Sequence, residues 1–209
     1  MMIPPIQTQT IFNTPILKTL LKGLSIAILK LMGWKIKGKE PKAAKYVMIA
    51  APHTSNWDFI FTLLFAFAFN LQPNIMGKKE LLDWPGGKIF TWLGLIPIDR
   101  SKSNNIVSWA VDMFSRYDNL CMIVPPSGTR SRVRKWKTGF YRIADGAGVP
   151  ISLTYLDWGR KTGGIGELFT TTGDIDADMI HIRAFYADMT GKYPEQTLEH
   201  AAEKALLLP

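Results

Sequence analysis

The segment YVMIAAPHTSNWD occupies residues 46–58 and joins a structural signal to a chemical one. Its first six residues are an apolar run that predicts a short buried strand, and Pro52 and His53 follow directly. Residues 59–69 contain Thr62 as their only polar side chain and predict a helix that is apolar on all sides. A helix needs about 20 residues to span a bilayer, so we expect this one to be buried in the domain or partly immersed in lipid. The segment therefore predicts a strand–loop–helix unit with His53 in the loop.

Strands and helices continue to alternate downstream of this unit. The predicted strands cover residues 95–98, 120–124 and 149–156, and the predicted helices cover 103–117, 139–148 and a stretch that begins after Asp174. This alternation predicts an α/β fold, a single domain with a mostly parallel central sheet flanked by helices. Other expectations are a broken amphipathic segment at 77–90, a hairpin or loop at 159–166 and a weak final helix at 198–207.

Residues 1–33 are predicted to precede the domain, which then covers residues 34–209. They comprise a short tail and an amphipathic helix over residues 15–33, with Pro15 suited to its first turn and Gly33 to its end. The helix should carry a wide apolar face and a narrow basic stripe, formed by Lys18, Lys22, Ser25 and Lys30. Packing on the protein core and immersion in a membrane interface both fit this pattern. Attraction of the cationic stripe to anionic lipid favours the membrane interpretation.

The composition narrows the classes of partner and site. Of the 209 residues 47% are hydrophobic, which is enough for a sizeable core, and the net charge of +8 favours anionic partners such as phospholipid headgroups. Nucleic acid is disfavoured because the basic run at residues 130–137 lacks a recognition-helix or zinc-finger pattern. The lone Cys121 lies in an apolar run, so we expect a buried thiol, no disulfide framework, no cysteine-based metal site and a reducing compartment. Neither a convincing secretory signal nor an apolar run long enough for a spanning helix is evident.

His53 and Asp58 are the candidate catalytic pair. A neutral imidazole is a suitable general base near neutral pH, and a carboxylate can hold the ring in the productive tautomer. Taken alone the spacing is weak, because a loop histidine followed by an aspartate at the start of a helix gives the same pattern. No serine or cysteine stands in a nucleophile-elbow setting, so the pair suits deprotonation of a substrate hydroxyl. No further metal ligands lie near the pair in the sequence, so no metal is expected.

Three further stretches are candidates for binding an anion. Asp99-Arg100 and the loop at residues 125–131 each follow a predicted strand, and in parallel sheets such loops face one crevice. Arg100 and Arg130 suit phosphate, and Gly128 allows close approach of the backbone to a ligand. Ser127 and Thr129 add hydroxyl groups to the loop at residues 125–131. The third stretch is Lys78-Lys79-Glu80, in which Lys78 adds a positive charge. A surface arginine paired to Asp99 is the competing interpretation for Arg100.

In this order and spacing, these residues resemble the glycerolipid acyltransferase family, which contains the 1-acylglycerol-3-phosphate acyltransferases. The resemblance covers residues 45–156. Its matching blocks are His53 with Asp58, the Lys78–Leu81 segment, Gly94 with Ile98-Asp99-Arg100, Pro126 with Gly128-Thr129-Arg130-Ser131, and Val149-Pro150-Ile151.

The resemblance implies a function and a set of site residues. His53, assisted by Asp58, would deprotonate an acceptor hydroxyl, which attacks the thioester of acyl-CoA or acyl-carrier protein directly. Backbone N–H groups near residues 54–57 would stabilise the oxyanion. Lys78, Arg100, Ser127, Gly128, Thr129 and Arg130 are the expected substrate-binding residues. The implied acceptor is a lysophospholipid, with 1-acylglycerol-3-phosphate as the default, and no cofactor is required. We expect a peripheral protein on the cytoplasmic face of a membrane.

Ser127 departs from the family pattern, which has glutamate at this position. Serine keeps a hydrogen-bonding group and loses the carboxylate. Two other functions stay open at this point. Ser127 favours the first, a non-catalytic lipid-binding protein with the same fold, and the second is a thioesterase in which His53 activates water.

Overall fold

The protein is described by a computed structural model for residues 6, 9–83, 85–98, 103–133 and 135–197, without the side chains of residues 103–105. The strands are β1 (Lys35–Lys37), β2 (Lys45–Ala51), β3 (Pro73–Lys78), β4 (Leu95–Ile98), β5 (Leu120–Ile123), β6 (Ile151–Asp157) and β7 (Thr162–Phe169). The helices are α1 (Pro15–Leu31), α2 (Trp57–Ala68), α3 (Lys88–Trp92), α4 (Ser103–Arg116), α5 (Gly139–Ala147) and α6 (Ile175–Phe185). Short 3-10 turns lie at Ile11–Asn13, Lys79–Leu82 and Pro194–Gln196.

The strands of this described part form one sheet in the order β1-β7-β6-β2-β5-β3-β4. Neighbouring strands are parallel throughout, except that β6 and β7 pair antiparallel. The predicted α/β domain with a mostly parallel sheet is thereby confirmed. The predicted final helix at residues 198–207 lies outside the described residues.

Strand β2 lies in the middle of the sheet and is covered on both faces. Val47 and Ile49 pack into a cluster with α4, α5 and α6, whereas Tyr46 and Met48 pack into a second cluster with α2 and the side chains of α1. Burial on both faces explains why β2 is a continuous apolar run and not an alternating one. Because helices cover both faces of β2, the loop at its carboxyl end is the part that reaches the surface.

Strands β1, β3 and β7 were not expected from the sequence. The β7 sequence TGGIGELF contains three glycines, which weaken an isolated strand. Tertiary packing overrides that preference here, because a β-carbon on Gly163 would collide with the Phe65 ring and one on Gly164 with the Lys37 carbonyl of β1. The glycines let α2 and β1 approach β7 closely, so the expected hairpin is extended into a full strand beside β6.

Helix α1 forms where the sequence places it, and Gly33 ends it with a φ of +77°. Its orientation differs from the expected one, because Ser25 belongs to the buried side and not to an exposed basic stripe. Ser25 is 2% exposed and Leu29 is fully buried in a cluster with the aromatic rings of α2. Because Ser25 and Leu29 lie on the buried side of α1, which packs on α2, a row of large apolar side chains is turned outward. That row consists of Ile16, Leu20, Leu24 and Leu31.

Candidate active site

The His53 loop lies between the carboxyl end of β2 and the first turn of α2. His53 Nδ1 is 3.1 Å from Asp58 Oδ2, and the two side chains are 23% and 4% exposed. Asp58 occupies the first turn of α2, where the positive end of the helix dipole favours a carboxylate. The structure therefore brings the two residues of the predicted pair into direct contact.

Four donors converge on the Asp58 carboxylate. The backbone N–H groups of Thr54 and Ser55 each donate to Oδ2 at 2.8 Å, and the indole Nε1 of Trp158 donates to Oδ1 at 2.9 Å. Because a carboxylate only accepts hydrogen bonds, His53 Nδ1 carries the proton in its contact with Oδ2. This tautomer leaves the lone pair of His53 Nε2 available to take a proton from a substrate.

The same contacts narrow the expected source of oxyanion stabilisation, the N–H groups of residues 54–57. The N–H groups of Thr54 and Ser55 are engaged by Asp58, and that of Trp57 donates to Ser55 Oγ at 3.1 Å. These three groups organise the loop, and Asn56 is the residue of the expected stretch whose N–H these contacts do not engage. A tight turn leading into a helix must satisfy its own N–H groups first, and a nearby carboxylate does this.

A cavity of about 550 Å³ opens beside His53. Lys78 at the end of β3, and Gly128, Thr129 and Arg130 of the loop after β5, line it together with His53. The carboxyl ends of β2, β3 and β5 thus meet at one site, as parallel strands require. The rest of the wall is largely apolar and includes Phe59, Ile75, Met76, Leu81, Phe90, Leu95, Ile123 and Leu156.

Of the two remaining predicted binding residues, Ser127 does not line this cavity. Ser127 is 9% exposed, donates from Oγ to the Thr129 carbonyl at 2.6 Å, and borders a separate cavity of about 20 Å³ between His53 and the rings of Trp136 and Tyr186. It shapes the turn that presents Thr129, whereas the large cavity is lined by its neighbours. Arg100, together with Asp99, lies outside the described residues.

Trp158 and the segment 190–197 belong to the site and were not singled out by the sequence. Thr54 Oγ1 accepts from the N–H of Tyr193 at 3.2 Å. In the amide orientation that satisfies its neighbours, Gln196 donates to the carbonyls of Arg130 and Thr54. The only sequence signal for these residues is an aromatic side chain just after a predicted strand. Their role depends on contacts between distant parts of the chain.

Cys121 lies away from this site, near the amino end of the interior strand β5. It is buried, as expected, and burial raises the pKa of its thiol to about 12. A thiol that stays protonated is a poor nucleophile. Among the described residues, no group of three or more His, Cys, Asp and Glu side chains is arranged to hold a metal ion.

Residues 33–153 match the family model described as Acyltransferase, which is more than half of the chain. The chain belongs to the acyltransferase family. Its fold is similar to the crystal structure of the 1-acyl-sn-glycerophosphate (LPA) acyltransferase PlsC from Thermotoga maritima, with a TM-score of 0.56 and 16% sequence identity, covering 84% of this chain and 82% of that chain. At that identity the likeness is one of fold. No curated protein matches the chain significantly.

These findings confirm the resemblance that the motifs predicted, and with it the assignment of the protein as an acyltransferase enzyme. They favour a catalytic protein over the non-catalytic lipid-binding alternative. The matching residues 33–153 run from the start of the sheet into the first residues of β6, and they include the His53 loop and the Arg130 loop.

Proposed function

We propose that this acyltransferase moves a fatty acyl group from acyl-CoA or acyl-carrier protein to the hydroxyl of a lysophospholipid, with 1-acylglycerol-3-phosphate as the default acceptor. The observation that carries the proposal is the single cavity in which His53 meets two cations, Lys78 and Arg130, and a long apolar wall. An acceptor lipid carries a phosphate, a hydroxyl and an acyl chain. These groups need, in one cavity, cations for the phosphate, a base for the hydroxyl and an apolar wall for the chain.

In the proposed reaction, His53 Nε2 takes the proton of the acceptor hydroxyl while Asp58 stabilises the imidazolium. The oxygen attacks the thioester carbon and forms a tetrahedral intermediate. Its collapse breaks the carbon–sulfur bond and forms the ester, and the leaving sulfur takes the proton back from His53. The donor and acceptor are substrates, and the proposed reaction uses no metal and no further cofactor.

A thiol-release assay with acyl-CoA or acyl-carrier protein as the donor and a panel of acceptors tests this function. We expect release that depends on a lysophospholipid, with matching formation of the diacyl product. Equal release without any acceptor would identify a thioesterase. No release from either donor with any acceptor would contradict the proposed reaction.

Arg130 and Lys78 are proposed to hold the acceptor phosphate, with Gly128, Thr129, Ser127 and Arg100 completing the binding loops.

Replacing Arg130 with alanine removes a charged hydrogen-bond donor and should raise the KM for a phosphate-bearing acceptor about 30-fold. The kcat/KM for an acceptor alcohol without phosphate should stay unchanged. Arg116→Ala is the matched control, because Arg116 pairs with Asp112 on the surface of α4. Equal loss with both kinds of acceptor would show that Arg130 does not read the phosphate.

A membrane surface is the proposed partner, contacted through α1, α2 and α3. None of the helices in the described residues combines the length and apolar character needed to cross a bilayer. Helix α1 packs on α2, and α2 contacts α3 through the rings of Phe59 and Phe90. Each of the three exposes large apolar side chains, namely Ile16, Leu20, Leu24, Leu31, Trp57, Ile60, Ile89 and Trp92. Exposed apolar rows beside cations such as Lys22 and Lys30 suit an anionic lipid interface, here the cytoplasmic face of a membrane.

The double substitution Leu20→Glu with Leu24→Glu should lower the affinity for anionic vesicles on the order of 100-fold, because two buried leucines are lost from the lipid phase. Cosedimentation with vesicles measures the change. Both side chains point away from the protein, at 66% and 55% exposure, so folding should be kept. Leu168→Glu, on the exposed part of β7, is the control and should bind as the unaltered protein does. Equal binding by all three proteins would show that α1 does not contact lipid.

A further inference from the structure

We propose that Trp158 is a positioning residue, whose indole N–H sets the plane of the Asp58 carboxylate and through it the orientation of His53. The proposal rests on the proposed general-base function of His53. It concerns a residue of the turn after β6, outside the stretch that matches the family model.

The two oxygens of Asp58 are held in different ways. Oδ2 is contacted by His53 Nδ1 and by the N–H groups of Thr54 and Ser55, all of which belong to the same short loop. Oδ1 accepts from Trp158 Nε1 at 2.9 Å, across 100 residues of sequence. The terminal torsion of an aspartate is soft and broad. The donors on Oδ2 belong to the His53 loop and would move with it. The donor on Oδ1 comes from the turn after β6, so it fixes the plane of the carboxylate relative to the sheet.

The Trp158 side chain that makes this contact packs against two aromatic rings, and its backbone is held by a hydrogen bond. Its ring lies 5.1 Å from that of Trp34, edge to face, and 4.8 Å from that of Phe61. The Trp158 backbone N–H donates to the Thr190 carbonyl at 2.9 Å. These contacts hold the partly buried indole with Nε1 directed at Asp58. Such preorganisation is what a positioning residue requires.

Lys192 adds an electrostatic contribution to the same contact. Its Nζ lies 4.8 Å from the centre of the Trp158 ring and 4.7 Å from that of Trp57. A cation over the face of an indole is attracted to it and polarises it, which makes the N–H a stronger donor. Lys192 belongs to the segment whose neighbour Tyr193 donates to Thr54. The segment thus supports both the indole and the His53 loop.

Trp158→Phe tests the proposal, because phenylalanine keeps an aromatic ring and removes the N–H. We expect kcat for acyl transfer to fall about 10-fold, with the KM for both substrates unchanged, as for other residues that orient a reacting group through a neighbour. Trp34→Phe is the matched control, since Trp34 packs in the same aromatic cluster, and it should keep kcat within about twofold. A kcat for Trp158→Phe equal to that of Trp34→Phe would overturn the proposal.

A second measurement does not depend on turnover. In protein with ¹⁵N-labelled tryptophan, the indole signal that disappears in Trp158→Phe belongs to Trp158. We expect its proton to exchange slowly with solvent and to move upfield in Asp58→Asn, because a hydrogen bond to a carboxylate is stronger than one to an amide. A signal that is unaffected by Asp58→Asn would also overturn the proposal. If the unaltered protein transfers no acyl group, the proposed function fails, and this measurement still decides the contact.

Discussion

Replacing Asp58 with asparagine is expected to lower kcat for acyl transfer about 10⁴-fold, the effect of the corresponding change in a serine-protease triad. An amide has one accepting oxygen and one donating nitrogen. If the oxygen accepts from Thr54 and Ser55, the NH2 group meets the indole N–H of Trp158. If it accepts from Trp158, the NH2 group meets the two backbone donors and His53. Either orientation loses hydrogen bonds that the carboxylate makes.

The same change should lower the free energy of unfolding by about 2 kcal/mol, since at least one donor around this buried position is left without an acceptor. Denaturant unfolding followed by tryptophan fluorescence measures it. Asp178→Asn is the matched control, because Asp178 is also buried and accepts from Tyr141 and Thr172 on the far side of the sheet. The control should lose similar stability and keep its kcat. An Asp58→Asn protein with a kcat near that of the control would remove Asp58 from the mechanism.

Replacing His53 with alanine is expected to lower kcat at least about 10⁴-fold, the upper end of the range that a positioned general base contributes, because Asp58 acts only through His53. Folding should be kept, because the imidazole is partly exposed at the edge of the cavity and Thr54 and Ser55 still donate to Asp58. Initial rates of thiol release at saturating donor and acceptor measure the change.

His181 provides the control for this substitution. It lies on α6 and is 46% exposed, with its ring against Phe169 and its Nε2 near Glu167, so His181→Ala removes an imidazole without touching the cavity. We expect its rate to equal that of the unaltered protein. A His53→Ala rate within tenfold of that rate would show that another group accepts the proton.

The His53 loop was predictable from sequence because its determinants are local. The apolar run of β2 and the apolar helix α2 are adjacent in the chain, so the turn between them is short. A pair of residues five positions apart in such a turn meets through local hydrogen bonds. The helix ends at Gly33 and Gly148 were predictable for the same reason, since a left-handed residue after the last turn favours glycine.

The orientation of α1 was not predictable in this way. Its sequence is apolar over most of its circumference, so the periodicity leaves several inner faces of similar hydrophobicity. The choice depends on which side chains fit the surface of α2. Leu29 fits among the aromatic rings, and Ser25 is buried on the same side of the helix. That packing, and not the pattern, exposes Leu20 and Leu24.

By itself the sequence determined the alternating elements, the parallel sheet, the His53–Asp58 pair and the family, because each of these follows from short-range periodicity or from an ordered set of motifs. Only the tertiary structure decided what surrounds the pair. It placed Lys78 and Arg130 in one cavity, brought Trp158 onto Asp58, and drew a strand with three glycines into the sheet. These arrangements depend on the packing of segments that lie far apart in the chain. They are stabilised by the assembled core and not by the local preferences of any one segment.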